Sequence, residues 1–167
     1  MNMLDIVEGR LVTHKHDREN WRLRDMVEHP RDPNWETGQY TTCHKLFRLN
    51  KKLQSNTVVF DLVFVKGRKF PVIRSVFVIK DINIGIIKFG SFLFSDGEPL
   101  ELKRNLTSTS YGPKLSKEES VELLRRMKNN SYNEYKIGEK PKSISAWDWE
   151  RMKMAASSTS NKPHSCQ

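Results

Sequence analysis

Thr57-Val58-Val59-Phe60-Asp61-Leu62-Val63-Phe64-Val65-Lys66-Gly67-Arg68-Lys69-Phe70 is the stretch that decides the fold of this chain. Its first nine residues are dominated by Val, Phe and Leu, and Phe70–Ile79 continues in the same manner. Such residues suit a pleated, buried surface. Between the two runs Lys66–Lys69 forms a short turn containing glycine, as hairpins favour. With Val65 opposite Phe70, the pairing carried back along the strands sets Asp61 directly opposite Arg74. Opposite charges so placed stabilise a strand pair by roughly 0.2–1 kcal/mol. The register therefore explains a carboxylate in the middle of an apolar strand.

Working outward, Ile84–Phe94 reads as a third strand, with Lys80-Asp81-Ile82-Asn83 as the turn before it. Gly85 and Gly90 within it mark a bulge or close packing. Ser95-Asp96-Gly97-Glu98-Pro99 ends that strand, and Leu100–Leu106 reads as a fourth. The three main strands are apolar on both faces, unlike a sheet with one face in water. Both faces then need a cover, unless one is an assembly surface. Ser116-Lys117-Glu118-Glu119 is a capping-box signature that opens a helix over 116–129, with Val121, Leu124 and Met127 one turn apart. A second helix is expected over 145–155, where Trp147, Trp149, Met152 and Met154 are spread around its circumference. From Ala156 the chain is rich in Ser, Thr and Asn and reads as a disordered tail. Residues 1–40 show no clean period. Asp17–Val27 reads either as a short helix or as part of an extended arm that docks Trp21 and Trp35 on the core. The expected fold is α+β: an antiparallel β-sheet core with two C-terminal helices and flexible tails. It divides into an N-terminal arm (1–40), a core domain (41–155) and a tail (156–167).

The hydrophobic fraction of 37% is low for a globular chain, but the apolar residues are concentrated in the middle. No run approaches a membrane span. Asp5 and Glu8 near the start are unlike the basic-then-apolar layout of a secretory signal. With only two cysteines, Cys43 and Cys166, a disulfide framework is not expected. These features point to an intracellular chain, in cytosol or nucleus. The net charge of +9 is unevenly placed. Residues 1–44 carry six Lys/Arg against eight Asp/Glu, and 81–167 carry fourteen against eleven. Residues 45–80 carry nine (Lys45, Arg48, Lys51, Lys52, Lys66, Arg68, Lys69, Arg74, Lys80) against Asp61 alone.

Catalytic and metal signals are weak beside that charge. Structural zinc pairs usually leave two to four residues between ligands. His14/His16 and Cys43/His44 do not fit, so no metal or other cofactor is expected. A nuclease centre needs clustered carboxylates, and 45–80 offers only Asp61, which Arg74 already answers. The chain has no Gly-x-Ser-x-Gly elbow, phosphate-binding glycine loop or His-Glu-x-x-His. Tyr132, Tyr135 and Lys136 read as a loop packed on the core or as a base-stacking platform. The candidate binding residues for nucleic acid or anionic lipid are Lys45, Arg48, Lys51, Lys52, Lys66, Arg68 and Lys69. Their plain alternative is a solubilising guard on a strand edge. Asp61 and Arg74 form a structural ion pair.

The segment Phe60–Phe70, a strand, a basic turn and a phenylalanine re-entering the sheet, resembles the central region of rhabdovirus matrix proteins. The resemblance is particularly to the short basic matrix proteins of plant-infecting cytorhabdoviruses. The likeness spans about 35 residues. It implies a virion structural protein that self-associates, condenses ribonucleoprotein and touches the inner membrane face. The sequence has no Pro-Pro-x-Tyr budding motif. The expected function is a non-enzymatic, basic, matrix-like viral protein that forms a homo-oligomer and binds nucleic acid or an anionic membrane surface. The alternatives are a soluble RNA-binding viral accessory module (a silencing suppressor or movement factor) and a small nuclease or hydrolase.

Overall fold

The computed structural model describes residues 2–16, 35–41, 53–65, 67–83, 86–104 and 113–160. Among the described residues, seven strands form one sheet: β1 (Glu8–His16), β2 (Gln39–Thr41), β3 (Thr57–Val65), β4 (Val72–Asn83), β5 (Ile86–Ser95), β6 (Lys114–Leu115) and β7 (Tyr132–Lys136). Two α-helices among the described residues accompany it, α1 (Lys117–Lys128) and α2 (Ala146–Ser160). The fold is α+β. The order across the sheet is β2-β5-β4-β3-β1-β6, and β7 also pairs with β5. β2 takes one half of that outer edge of β5, at Ile86–Lys88, and β7 takes the other, at Ser91–Ser95.

The sheet is mixed rather than antiparallel throughout, because β1 runs parallel to β3 from Glu8↔Thr57 to His16↔Val65. Residues 8–16, expected in the arm, are therefore an integral strand of the sheet, between β3 and β6. Their polar composition hides this: Arg10 is buried and ion-paired with Glu8 at 3.4 Å, while Leu11 and Val12 are fully buried. The Trp35 end of the arm is docked as well, and Trp21 lies outside the described residues. Of the expected Leu100–Leu106 strand, residues 100–104 form only a bridge at Glu101, where Leu100 and Leu102 bond to Ile73 and Pro71, and residues 105 and 106 lie outside the described residues. Lys80–Asn83 remains in β4 instead of forming a turn. Tyr132–Lys136 is a strand, not a loop. α2 passes Ala156 and runs to Ser160.

Strand pleating divides the core between the two faces. One face carries Leu11, Phe60, Leu62, Ile73, Val76 and Leu93, packed by Leu123, Leu124 and Met127 of α1. The capping box at the start of α1 is formed, with Ser116 Oγ accepting from Glu119 N at 3.1 Å. The buried stripe of α1 includes Ser120 and Leu123, while Val121 is only half-buried. Leu124 and Met127 are buried as expected, and Gly9 is what admits Ser120 beside them: a Cβ there would stand 2.2 Å from Ser120 Oγ. A small residue meets no side chain at all, and helix and strand approach closely. The other face carries Val12, Val59, Phe77, Phe92 and Phe94 under Trp35, Ile144 and Trp149. Trp35 stacks on Phe92 at 5.4 Å and meets Phe94 edge-on at 4.9 Å.

Candidate polyanion-binding turn

The β3–β4 hairpin places the candidate site, and a bulge sets its register. Near the turn Val63↔Val72 and Leu62↔Ile73 follow the expected pairing. Beyond it Asp61 pairs with Ser75, not Arg74, and Phe60 with Val76. Arg74 is thus the extra residue of a β-bulge, and two residues of β4 oppose one of β3. Both reach the same carboxylate. Arg74 Nε donates to Asp61 Oδ2 at 2.5 Å and Ser75 Oγ donates to it at 3.0 Å. The guanidinium also lies 5.7 Å from the Trp35 ring centre. Asp61 and Ser75 are fully enclosed, so Asp61 is shut away from a scissile phosphate.

A second bulge, on β5, sets Gly90 and Ser91 across from Val78, which accounts for Gly90. Gly85 lies outside the described residues.

At the turn, Arg68 N bonds to Val65 O at 3.1 Å, and Gly67 takes φ +86°, a conformation that glycine adopts without steric cost. Arg68 and Lys69 are exposed there. Lys45, Arg48, Lys51, Lys52 and Lys66 lie outside the described residues, as do Cys43 and His44. Arg68 is not an open cation. Its guanidinium meets Glu98 at 2.5 Å and Glu101 at 3.9 Å. Lys69 sits 5.3 Å from the Phe70 ring centre. Lys103 and Arg104 extend the basic surface, and Arg104 pairs with Glu119 at 3.7 Å.

Sequence reasoning missed Glu98 and Glu101 as partners of this turn, thirty and more residues away. The signal was topological. In a β3-β4-β5 meander, β5 finishes at the same end of the sheet as the first turn. The loop carrying Glu98 is held firmly. Asp96 accepts hydrogen bonds from Tyr135 Oη, from Asn133 Nδ2 at 2.7 Å and from Ser143 N at 2.8 Å. Asp96 N donates to Ser131 O at 2.9 Å. Burial raises the Asp96 carboxyl, but these hydrogen bonds outweigh it and hold the group below its ordinary range. Burial, and next the bond to Asp96, push the Tyr135 phenol up to about 12.

Tyr132 and Tyr135 do not form a stacking platform. They are buried on opposite faces of β7, and Tyr132 Oη donates to Ile73 O. Among the described residues no three His, Cys, Asp or Glu side chains are grouped as metal ligands, and no helix is long and apolar enough to cross a membrane. No protein-family model, curated protein or solved structure matches the chain.

Proposed function

We propose that the chain is a non-enzymatic structural protein of the viral matrix kind, which self-associates and binds the phosphates of a ribonucleoprotein through its basic 45–69 segment. One observation carries the reading. The single acid of residues 45–80 is buried against Arg74. The other eight cations of that segment therefore have no carboxylate of their own segment to answer them. Cations in such excess bind polyanions with release of counterions. Glu98 and Glu101 temper the reading, since phosphate must compete with them for Arg68.

The test is a fluorescence titration of labelled single-stranded RNA at several salt concentrations. Changing Lys66, Arg68 and Lys69 together to Gln should weaken binding alike for all sequences, because phosphate contacts carry no sequence information. The salt slope should become shallower by roughly 0.7 per lost contact. Glu98→Gln should tighten binding by releasing Arg68. Unchanged affinity and slope would reduce the turn to a solubilising edge. Binding to anionic vesicles but not RNA would move the site to a membrane surface. RNA binding by a strictly monomeric chain would favour the accessory-module alternative.

A further inference from the structure

The cations around the β3–β4 turn differ in what already holds them. Arg68 is bridged from two sides, by Glu98 at 2.5 Å and by Glu101 at 3.9 Å. Both carboxylates stand on backbone that is fastened independently of Arg68. Before Glu98 the chain is anchored at Asp96, and Glu98 O itself accepts from Ser131 Oγ at 3.2 Å. After it, Leu100 N donates to Tyr132 Oη at 3.0 Å and Leu100 O accepts from Ile73 N at 2.9 Å. Glu101 is the bridge residue opposite Val72. The Arg68 side chain is 35% exposed, against 74% for Glu98. A phosphate that took this guanidinium would have to displace two carboxylates and then sit beside their charges, which repel its own.

Lys69 and Lys103 are differently placed. Both are exposed, and neither meets a carboxylate among the described residues. Lys69 Nζ lies 5.3 Å from the centre of the Phe70 ring, a contact that leaves its charge unneutralised. Lys103 is brought to the same place by the backbone. Leu102 N donates to Pro71 O at 2.9 Å, and segments bonded in this way run about 4.8 Å apart. The residue after Leu102 therefore stands beside the segment that carries Lys69 and Phe70. Arg104, the next cation, is answered by Glu119 at 3.7 Å.

We infer that Lys69 and Lys103 are the phosphate contacts at this end of the sheet, and that Arg68 is a positioning residue. Its bridges to Glu98 and Glu101 tie the turn that bears Lys69 to the segment that bears Lys103. The site is then built from two segments and reaches beyond residues 45–69. This assignment rests on the RNA-binding reading above and names which cations serve it.

Titration of labelled single-stranded RNA against salt, with the full chain, separates the roles. Lys69→Gln and Lys103→Gln should each make the salt slope shallower by roughly 0.7, one contact apiece. Arg68→Gln combined with Glu98→Gln removes one bridged charge of each sign, so the net charge is unchanged. That double variant should keep the native slope and affinity. Arg68→Gln alone leaves two acids unanswered beside Lys69 and should weaken binding, and adding Glu98→Gln should restore it. All four positions are exposed, so the circular dichroism spectrum of each variant should match that of the native chain. A double variant whose slope falls as far as that of Lys69→Gln would make Arg68 a phosphate contact and overturn the assignment. So would a Lys103→Gln variant that titrates as the native chain does. A native chain that binds no RNA at any salt concentration would instead remove the RNA-binding reading, and this assignment with it.

Discussion

The two faces of the sheet are closed in different ways. Over one face, α1 lays Leu123, Leu124 and Met127 on Phe60, Leu62, Ile73 and Val76, and the contact is apolar apart from Ser120 against Gly9. Over the other, a turn bearing Trp35 and the start of α2 cover a surface that holds a buried carboxylate and guanidinium at its centre. The first face is a volume-filling problem, solved by one regular amphipathic helix. The second is a positional problem. A bulge must hold Arg74 and Ser75 on the same side as Asp61, and Trp35 must lie over them. Burial of apolar area stabilises the first face. On the second, the ion pair offsets its own desolvation and selects one register, the role for which such pairs are best attested.

The largest effect should come from breaking the second face at its centre. Asp61→Ala leaves the Arg74 guanidinium buried without its carboxylate and should cost about 3–5 kcal/mol in urea unfolding. Asp61→Leu combined with Arg74→Met removes both charges together. It should return to within about 1 kcal/mol of the native chain, or exceed it. A double variant as unstable as Asp61→Ala would show that the pair contributes stability in its own right, and the contrast between the faces would fail. On the first face, Leu124→Ala should cost roughly 2–4 kcal/mol, the range for a fully buried leucine whose cavity only partly collapses. No partner substitution should rescue it except one that refills the volume.

The same contrast explains what was legible in the sequence. β3, β4 and β5 were readable because strands covered on both faces must be apolar throughout, and their Val, Ile and Phe content with flanking turn residues sets these runs apart from a buried helix. α1 was readable from its capping box and from Leu124 and Met127, which are buried as expected; Val121 is half-buried instead, and Ser120 is buried because Gly9 leaves it room. β1, β2 and β7 were not readable. They are held by backbone bonds to strands already in place, so their own side chains need little pattern. The Asp61–Arg74 contact was found by assuming a regular hairpin, although a bulge brings the two together. Local pairing showed the charge match but not the extra residue. At the candidate site, the lysines and arginines were visible in composition. Glu98 was not, because its place beside Arg68 depends on where two later strands return.

The smallest effects concern the latch that ties the Glu98 loop to the approach to α2. Asp96 binds Tyr135, Asn133 and Ser143, and Lys142 N donates to Tyr135 Oη at 3.0 Å. In the folded chain, burial raises the Asp96 pKa, but the hydrogen bonds hold it below its ordinary value of 3.8. As pH falls, the unfolded chain takes up this proton first, so stability drops through that window. The contribution is complete above pH 3.8 and disappears as pH falls through the lower folded value. Because the carboxylate is half-buried and screened, the effect should stay below about 1 kcal/mol. Tyr135 acts at the opposite limit. Burial and the neighbouring carboxylate raise it from 10.0 to about 12. Its contribution is complete below pH 10.0 and is lost as pH rises through about 12. Thermal melting across pH should therefore show Asp96→Asn with a flatter acid limb and Tyr135→Phe with a flatter alkaline limb. Neither variant should alter the response of the α1 face to Leu124→Ala, because distant sites without shared partners add independently. Non-additivity between Asp96→Asn and Leu124→Ala would mean that the two faces are energetically one core.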